Sequence, residues 1–357
     1  MSTPVPPQHL AVTALQRGLG RVAEGVALEE AATEAVFAEI ISGAAPPQQL
    51  ADFLLALRAK GESAAEIAGA VRALRAAMRR VAHADPDRLV DTCGTGGGRV
   101  TTVNISTAAA FLAAGAGVSI AKHGNRSYTS RSGSADVLEA LDNAIDLDPA
   151  HAGRVLDEAR IVFLYAPLYH PAMRHVAPVR RQLGVPTLMN LVGPLANPAS
   201  AGRQVVGVGD PTRAPAMAGA LARLGAIHAL VLHADIGMDE ISPVGTTTIW
   251  EITDGRIREW QFDPGETAVG TSTLAGLEGG EPHENAAKLV ALLERPAAAA
   301  AALRSAVVLN AAAAIYVAGL APTLHAAVDA AVDSLESGRA RDRLEMLRRV
   351  APRLIGG

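Results

Sequence analysis

The sequence predicts an α/β protein that opens with an all-helical region and continues into a sheet with much parallel pairing. Three observations carry this. Apolar residues from Leu15 to Val81 recur at three- and four-residue intervals, which is helical periodicity. Beyond residue 85, short β-rich runs alternate with helical stretches, the pattern of a sheet built from crossover units. At 357 residues, 49% of them hydrophobic and 19% charged, the chain is long and apolar enough to bury a large core.

In chain order, Leu50, Phe53, Leu54 and Leu57, and then Ile67, Val71, Leu74 and Met78, mark two amphipathic helices. Pro46 and Pro47 signal the start of the first. Ser63 followed by Glu66 signals the second, because the hydroxyl can accept from an orphan amide while the carboxylate reaches back to the cap. Near Asp85 and Pro86 the period changes, and the helical region is expected to end there. Strands are expected at Leu89 to Cys93, Val118 to Ala121, Ile161 to Ala166, Gln204 to Val208 and Ala229 to His233. Thr247 to Thr253 and Arg256 to Phe262 flank Asp254-Gly255, a hairpin turn, so an antiparallel ribbon makes the sheet mixed. From Glu284 onward the alanine- and leucine-rich chain reads as two or three packed helices. No internal repeat is present.

A formal net charge of −4 gives no general electrostatic reason to bind nucleic acid or an anionic membrane surface. Cys93 is the single cysteine, so an intrachain disulfide and a cysteine-rich zinc site are excluded, and a cytoplasmic location is expected. The opening MSTPVPPQHLAV has neither a basic stretch nor a long apolar run, and no export signal or membrane span is expected.

Four segments look like parts of a site. Asp91 to Arg99 reads DTCGTGGGR and is followed by VTTVNIST, so an apolar strand runs into four glycines within five residues and then into a helix start at Asn104 to Thr107. Glycine lets the backbone bring its amides up to a bulky anion, and a helix N-terminus adds partial positive charge. The plainer reading is a tight turn without ligand. The spacing is a poor dinucleotide fingerprint, since Arg99 occupies the third glycine position counted from Gly94, and no GxxxxGK[ST] occurs.

In the second segment, AKHGNRSYTSRSGSADVLEAL, Lys122, His123, Asn125, Arg126, Ser127, Ser130, Arg131, Ser132 and Ser134 crowd cations and hydroxyls into one loop after a strand. That suits anionic oxygens, the alternative being a solvated basic loop. In the third, His170, Met173, Val176 and Arg180 fall on one helical face by spacing, where an aromatic ring could lie against His170 and Met173 while Arg180 meets a carboxylate. Ordinary packing by His170 and Met173 with a surface Arg180 is the alternative. In the fourth, LVLHADIGMDEIS, Asp235, Asp239 and Glu240 follow a strand, with Gly237 in the loop between. Such carboxylates suit magnesium, which binds through one or two of them plus substrate phosphates.

Taken together, GTGG, NIST, AKHGNR, SGSADVLEAL, YHPAMRHVAPVR, NLVGPLANPA and MDEISPVGTT, in this order and spacing, resemble the anthranilate phosphoribosyltransferase family. The likeness covers nearly the whole chain, including QQLADFLLALRAKGESAAEIAG and ENAAKLVALLE. It implies a small all-helical N-terminal domain hinged to a large α/β domain with a mostly parallel central sheet, divided here as residues 1–85 and 86–357. The helical segment around 170–200 would join the first domain in space. It also implies a homodimer, small-molecule substrates, and a magnesium-dependent displacement of diphosphate from phosphoribosyl diphosphate by the anthranilate amine, as in tryptophan biosynthesis. Carried over by position, Gly94, Thr95, Gly96, Gly97, Thr102, Asn104, Ser106, Thr107, Lys122 and Ser134 would hold the donor. Gly94, His123, Asn125, His170 and Arg180 would line the anthranilate path, and Ser106, Asp239 and Glu240 would hold Mg2+. Lys122, Asp239 and Glu240 would clamp the transition state, with no general base assigned and His123 the candidate.

The chain departs from the family pattern at several places. Gly98 stands where aspartate is common and Arg99 where glycine is, which makes Arg99 a candidate extra contact to diphosphate. Thr101 replaces a frequent histidine, Val103 a phenylalanine, Asp142 the glycine ending EALG, and Ala234 the glycine after the histidine in HGxDGLDE. Other readings on the same fold are a pyrimidine nucleoside phosphorylase or a phosphoribosyltransferase for another aromatic acceptor. From another class, the alternative is a non-catalytic anion- or nucleic-acid-binding relative.

Overall fold

The computed structural model describes residues 12–127, 131–271 and 273–352. Four helices open the chain: α1 (Ala14–Ala23), α2 (Glu30–Ser42), α3 (Pro47–Lys60) and α4 (Ala64–Ala77). Pro46 and Pro47 open α3, and Ser63 and Glu66 form the expected capping box on α4. The Glu66 carboxylate is fully buried, where it also accepts from the Leu28 amide at 3.0 Å and Lys60 at 2.8 Å, so one residue caps α4 and ties down the loop between α1 and α2 and the end of α3.

The larger part is built on β1 (Leu89–Gly94), β2 (Ser119–Gly124), β3 (Ile161–Tyr165), β4 (Arg203–Gly207), β5 (His228–Ala234), β6 (Thr247–Thr253) and β7 (Arg256–Phe262). They form one sheet in the order β3-β2-β1-β4-β5-β6-β7, parallel through β5 and antiparallel for the last two. The turn between β6 and β7 places Asp254 at φ 51° and Gly255 at φ 71°, the two left-handed residues a two-residue hairpin needs.

Helices cover both faces. They are α5 (Ile105–Gly115), α6 (Ser134–Ala140), α7 (Pro149–Ala159), α8 (Ala166–Tyr169), α9 (Ala177–Leu183), α10 (Leu188–Val192), α11 (Ala214–Arg223), α12 (Pro282–Glu294), α13 (Ala301–Val317), α14 (Leu324–Glu336) and α15 (Arg339–Val350). Alternation along the strands divides the core: Val205, Leu230 and Leu232 face α5 and α13, whereas Val206, Ala229 and Val231 join a cluster with α11 and the N-terminal helices.

Two expectations are corrected. The chain after Glu284 makes four helices rather than two or three, because short breaks at 295–300, 318–323 and 337–338 interrupt a uniform composition. His170 to Arg180 is not one helical face. Pro171 and Pro178 break the segment into α8, a 3-10 turn at Pro171–His175 that packs against α2, and α9, which packs against α3.

Candidate active site

In an open α/β sheet, ligands bind beyond the carboxyl ends of the strands where the strand order reverses. Here β1 is that point, since β2 and β3 lie on one side of it and β4 and β5 on the other. The glycine loop leaves β1 there. Gly96 and Gly97 hold φ of 67° and 83°, conformations side chains rarely adopt, and a Cβ on either would meet nothing within 4 Å. The Thr95 amide donates to Gly207 O at 2.9 Å and Thr95 Oγ1 accepts from the Gly209 amide at 3.1 Å, so the loop is tied to the end of β4 while its glycines stay exposed.

The acidic loop after β5 closes on the same place. A Cβ on Gly94 would lie 3.2 Å from Asp239 Oδ2, and one on Gly98 would lie 2.7 Å from Asp239 Oδ1. The departures from the family pattern find their places here. Gly98 leaves room for Asp239. Arg99 is exposed, donates its amide to Gly237 O at 2.8 Å, and lays its side chain over Gly237. Ala234 has no left-handed φ to satisfy, whereas Asp142 has φ 62°, the conformation that glycine takes most easily. Asp235 is turned away, its carboxylate accepting from Thr246 Oγ1, so only Asp239 and Glu240 of the three acids join the site.

Lys122 enters from β2. Its buried ammonium donates to Thr92 O, to Thr92 Oγ1 at 3.3 Å and to Ser106 Oγ at 3.1 Å, which joins β2 to β1 and to the first turn of α5. Burial lowers the Lys122 pKa, opposed by the charges of Asp91, Cys93 and Glu240. Burial likewise raises the Glu240 carboxyl well above its ordinary value; Asp239 adds to this and Lys122 opposes it. Asp239 is raised by burial too. Among the described residues no group of three or more His, Cys, Asp or Glu is arranged to hold a metal ion.

Asn104 caps α5 with its side chain held by Ser132 O at 3.2 Å and Asn285 Nδ2 at 3.0 Å. Thr107, in the first turn of α5, is 2% exposed, and its hydroxyl is buried without a hydrogen bond. Thr102 lies in an isolated bridge to Glu278. In the second loop Ser134 Oγ donates to Asn125 O at 3.3 Å. Arg126 is corrected as an anion donor: it is held by Asp136 at 2.8 Å and Glu139 at 2.5 Å. Ser130 lies outside the described residues.

His123 and His170 meet with ring centroids 5.1 Å apart. His123 Nε2 and both His170 ring nitrogens are buried without a hydrogen bond. Burial pushes their pKa values down to about 3 and about 4, the neighbouring His170 adding to the effect on His123. Both rings are therefore neutral at pH 7. Arg180, on α9, is half-buried on the side of the molecule where α9 meets α3.

Two polar residues behind the site escape sequence reasoning. Asp91 is fully buried; its Oδ1 accepts from the His123 amide at 3.0 Å and its Oδ2 from Asn197 Nδ2 at 2.8 Å. Asn197 Nδ2 also donates to Ala121 O at 2.7 Å, so the pair fixes β2 where Lys122 and His123 leave it. Burial raises Asp91 to about 6, against the pull of Asn197 and Lys122. A lone aspartate inside an apolar strand was the available signal.

The model of the glycosyl transferase family a/b domain matches residues 86–341, and that of the family's helical bundle domain matches residues 17–78. An anthranilate phosphoribosyltransferase from Rubrobacter xylanophilus is 48% identical over 96% of this chain and 99% of its own length. One from Symbiobacterium thermophilum is 46% identical over 94% and 97%. The crystal structure of the Thermus thermophilus enzyme superposes with a TM-score of 0.85 at 41% identity, covering 93% of this chain and 99% of that one. The Saccharomyces cerevisiae enzyme in complex with PRPP and Mg gives 0.84 at 26% identity, covering 94% and 97%. With both structural parts matched in order and identity above 40% along almost the entire length, the chain belongs to the anthranilate phosphoribosyltransferase family.

Proposed function

We propose that this site transfers the phosphoribosyl group of 5-phosphoribosyl 1-diphosphate to the amine of anthranilate, releasing diphosphate, and that the residues gathered at the β1 switch point divide the work. The glycine loop, Thr102, Asn104, Ser106, Thr107 and Ser134 hold the donor, the exposed amides of Gly96 and Gly97 meeting phosphate oxygens. Lys122 stands where negative charge grows as diphosphate leaves. Fixed charge at that point, rather than proton transfer, is the main source of rate for a reaction with oxocarbenium character.

Asp239 and Glu240 fit a divalent cation: two adjacent, partly buried acids resist ionising together until a cation joins them, and the remaining coordination falls to Ser106 and donor oxygens. Magnesium held there would neutralise charge on the diphosphate. On the acceptor side, Asn125 and the neutral rings of His123 and His170 flank the anthranilate ring, and Arg180 meets its carboxylate. The amine of anthranilate is nucleophilic as it stands, so no general base is required, and His123 Nε2, neutral and without a partner, is only the candidate for its proton. The chain works as a cytoplasmic homodimer in this reading, supported by the family likeness and by a single unpaired cysteine. Sedimentation at twice the 36.7 kDa chain mass tests the dimer.

The observation that carries the reading is the convergence of the glycine loop, Lys122 and Asp239 from three separate strands. The test is loss of anthranilate fluorescence on adding 5-phosphoribosyl 1-diphosphate and magnesium. Loss that a chelator abolishes, and that Asp239→Ala with Glu240→Ala reduces at least about a hundredfold, is expected. Donor binding by calorimetry without any loss would overturn the assignment of acceptor.

A further inference from the structure

A second cleft of about 590 Å³ opens between the 264–271 loop, the N-terminus of α13 and the end of α14. None of its lining residues belongs to the glycine loop, to β2 or to the acidic pair, so it is separate from the active site. Three features give it the chemistry of a ligand site. The first is the start of α13, a 17-residue helix whose N-cap is Ala300 with no side chain to offer. Among the described residues the amides of Ala301, Ala302 and Leu303 donate no hydrogen bond, although Ala302 is fully buried. The second is Ser305, which lines the cleft at 2% exposure with its hydroxyl buried and without a partner. The third is Arg304 at the mouth, paired with Glu336 at 2.6 Å. Apart from Thr271, the remaining wall is apolar, including Val269, Pro296 and Ala297.

Amides without a partner at a helix N-terminus select an anion, and Ala301, the first of them, lines the cleft. Because Glu336 already balances Arg304, the cleft adds only the partial charge of the helix end, about half a unit, which matches a monoanion better than a phosphate dianion. The volume falls in the range of small-molecule sites, and the wall favours an aliphatic body. We propose that this cleft binds a small aliphatic carboxylate, its carboxylate at the start of α13, Ser305 and Arg304.

The test is a titration of the full-length protein with isocaproate, followed through the Val269 methyl resonances. Isocaproate is aliphatic and so does not mimic a flat aryl acceptor, and the probe reports on this cleft alone. Saturable shifts are expected, weakened at least about tenfold in Arg304→Gln and severalfold in Ser305→Ala, as the loss of charge-assisted and neutral hydrogen bonds would give. Shifts that never saturate, or identical curves in wild type and both variants, would overturn the proposal. So would inorganic phosphate binding as tightly as isocaproate, which would make the cleft a simple anion site.

Discussion

Gly207 ends β4 directly beside Gly94 of β1, and the main chain of Asp239 passes over it. A Cβ placed on Gly207 would lie 1.6 Å from Asp239 O, 2.7 Å from its carbonyl carbon and 3.3 Å from its Cβ. Restoring ordinary contact requires a shift of roughly 2 Å. Because β4 is held by β1 on one side and β5 on the other, the acidic loop is the part that yields. Gly207→Ala therefore moves the Asp239 and Glu240 carboxylates away from the glycine loop. Misplacement by about 1 Å commonly costs a hundredfold, so kcat/KM for the donor should fall by at least about that factor. The added methyl should also destabilise the fold by about 1–3 kcal/mol. Steady-state kinetics by anthranilate fluorescence and a melting curve measure the two effects. Gly20→Ala is the control, since a Cβ there meets nothing within 4 Å and an alanine inside α1 should stabilise by about 0.5–1 kcal/mol. A Gly207→Ala enzyme with wild-type kcat/KM would refute the claim that the acidic loop must rest against the β1 and β4 glycines.

Further outcomes follow from the same packing. Lys122→Met should lower kcat/KM at least about a hundredfold and also lower the melting temperature, because Thr92 O and Ser106 Oγ lose their donor and the buried Asp91 and Glu240 lose their compensating charge; wild-type activity in this variant would argue against the role of Lys122. Glu251, on β6, accepts from His228 at 3.0 Å, Arg258 at 2.7 Å, Trp260 at 3.0 Å and Tyr316 at 2.6 Å. Burial raises its pKa, but the hydrogen bonds from His228, Arg258 and Tyr316 outweigh that and hold it at about 2. Glu251→Ala should cost about 3 kcal/mol in urea denaturation near pH 7. Since a depressed folded pKa stabilises above the ordinary value of 4.5 and loses that effect as pH falls toward about 2, the gap between wild type and variant should close across that window; a gap independent of pH would refute the network. For His123 and His170, held at about 3 and about 4 by burial, the ring proton shifts should stay flat between roughly pH 8 and 5.5, and a midpoint near the unperturbed 6.5 would contradict their buried, neutral state.

Elements whose pattern is local were legible in the amino-acid sequence. The β6–β7 ribbon matches its expected limits because alternation and an Asp-Gly turn are encoded in adjacent residues, and the capping box at Ser63 needs only Glu66. The glycine loop, Lys122 and Asp239-Glu240 were recognisable as segments because each carries unusual residues in a short span. Spacing misled where it was read without its prolines: Pro171 and Pro178 turn one apparent helical face into three pieces, and His170 comes to lie tilted against His123 of β2 instead of forming a stripe with Met173 and Arg180. The charges in the second loop also looked alike, yet Arg126 is consumed by Asp136 and Glu139 while Lys122, four residues earlier, points into the site.

What the tertiary structure alone decided is adjacency. Strand order is a matter of non-local pairing, and periodicity says which face of a strand is buried but not which strand lies beside it. Only when β4 inserts next to β1 does the strand order reverse at the glycine loop, and only then does Gly207 make the gap into which Asp239 descends. Asp91 and Asn197, far apart in sequence, likewise acquire meaning through one 2.8 Å hydrogen bond behind β2. Local chemistry named the parts of this protein; the pairing of distant strands brought them to one end of the sheet.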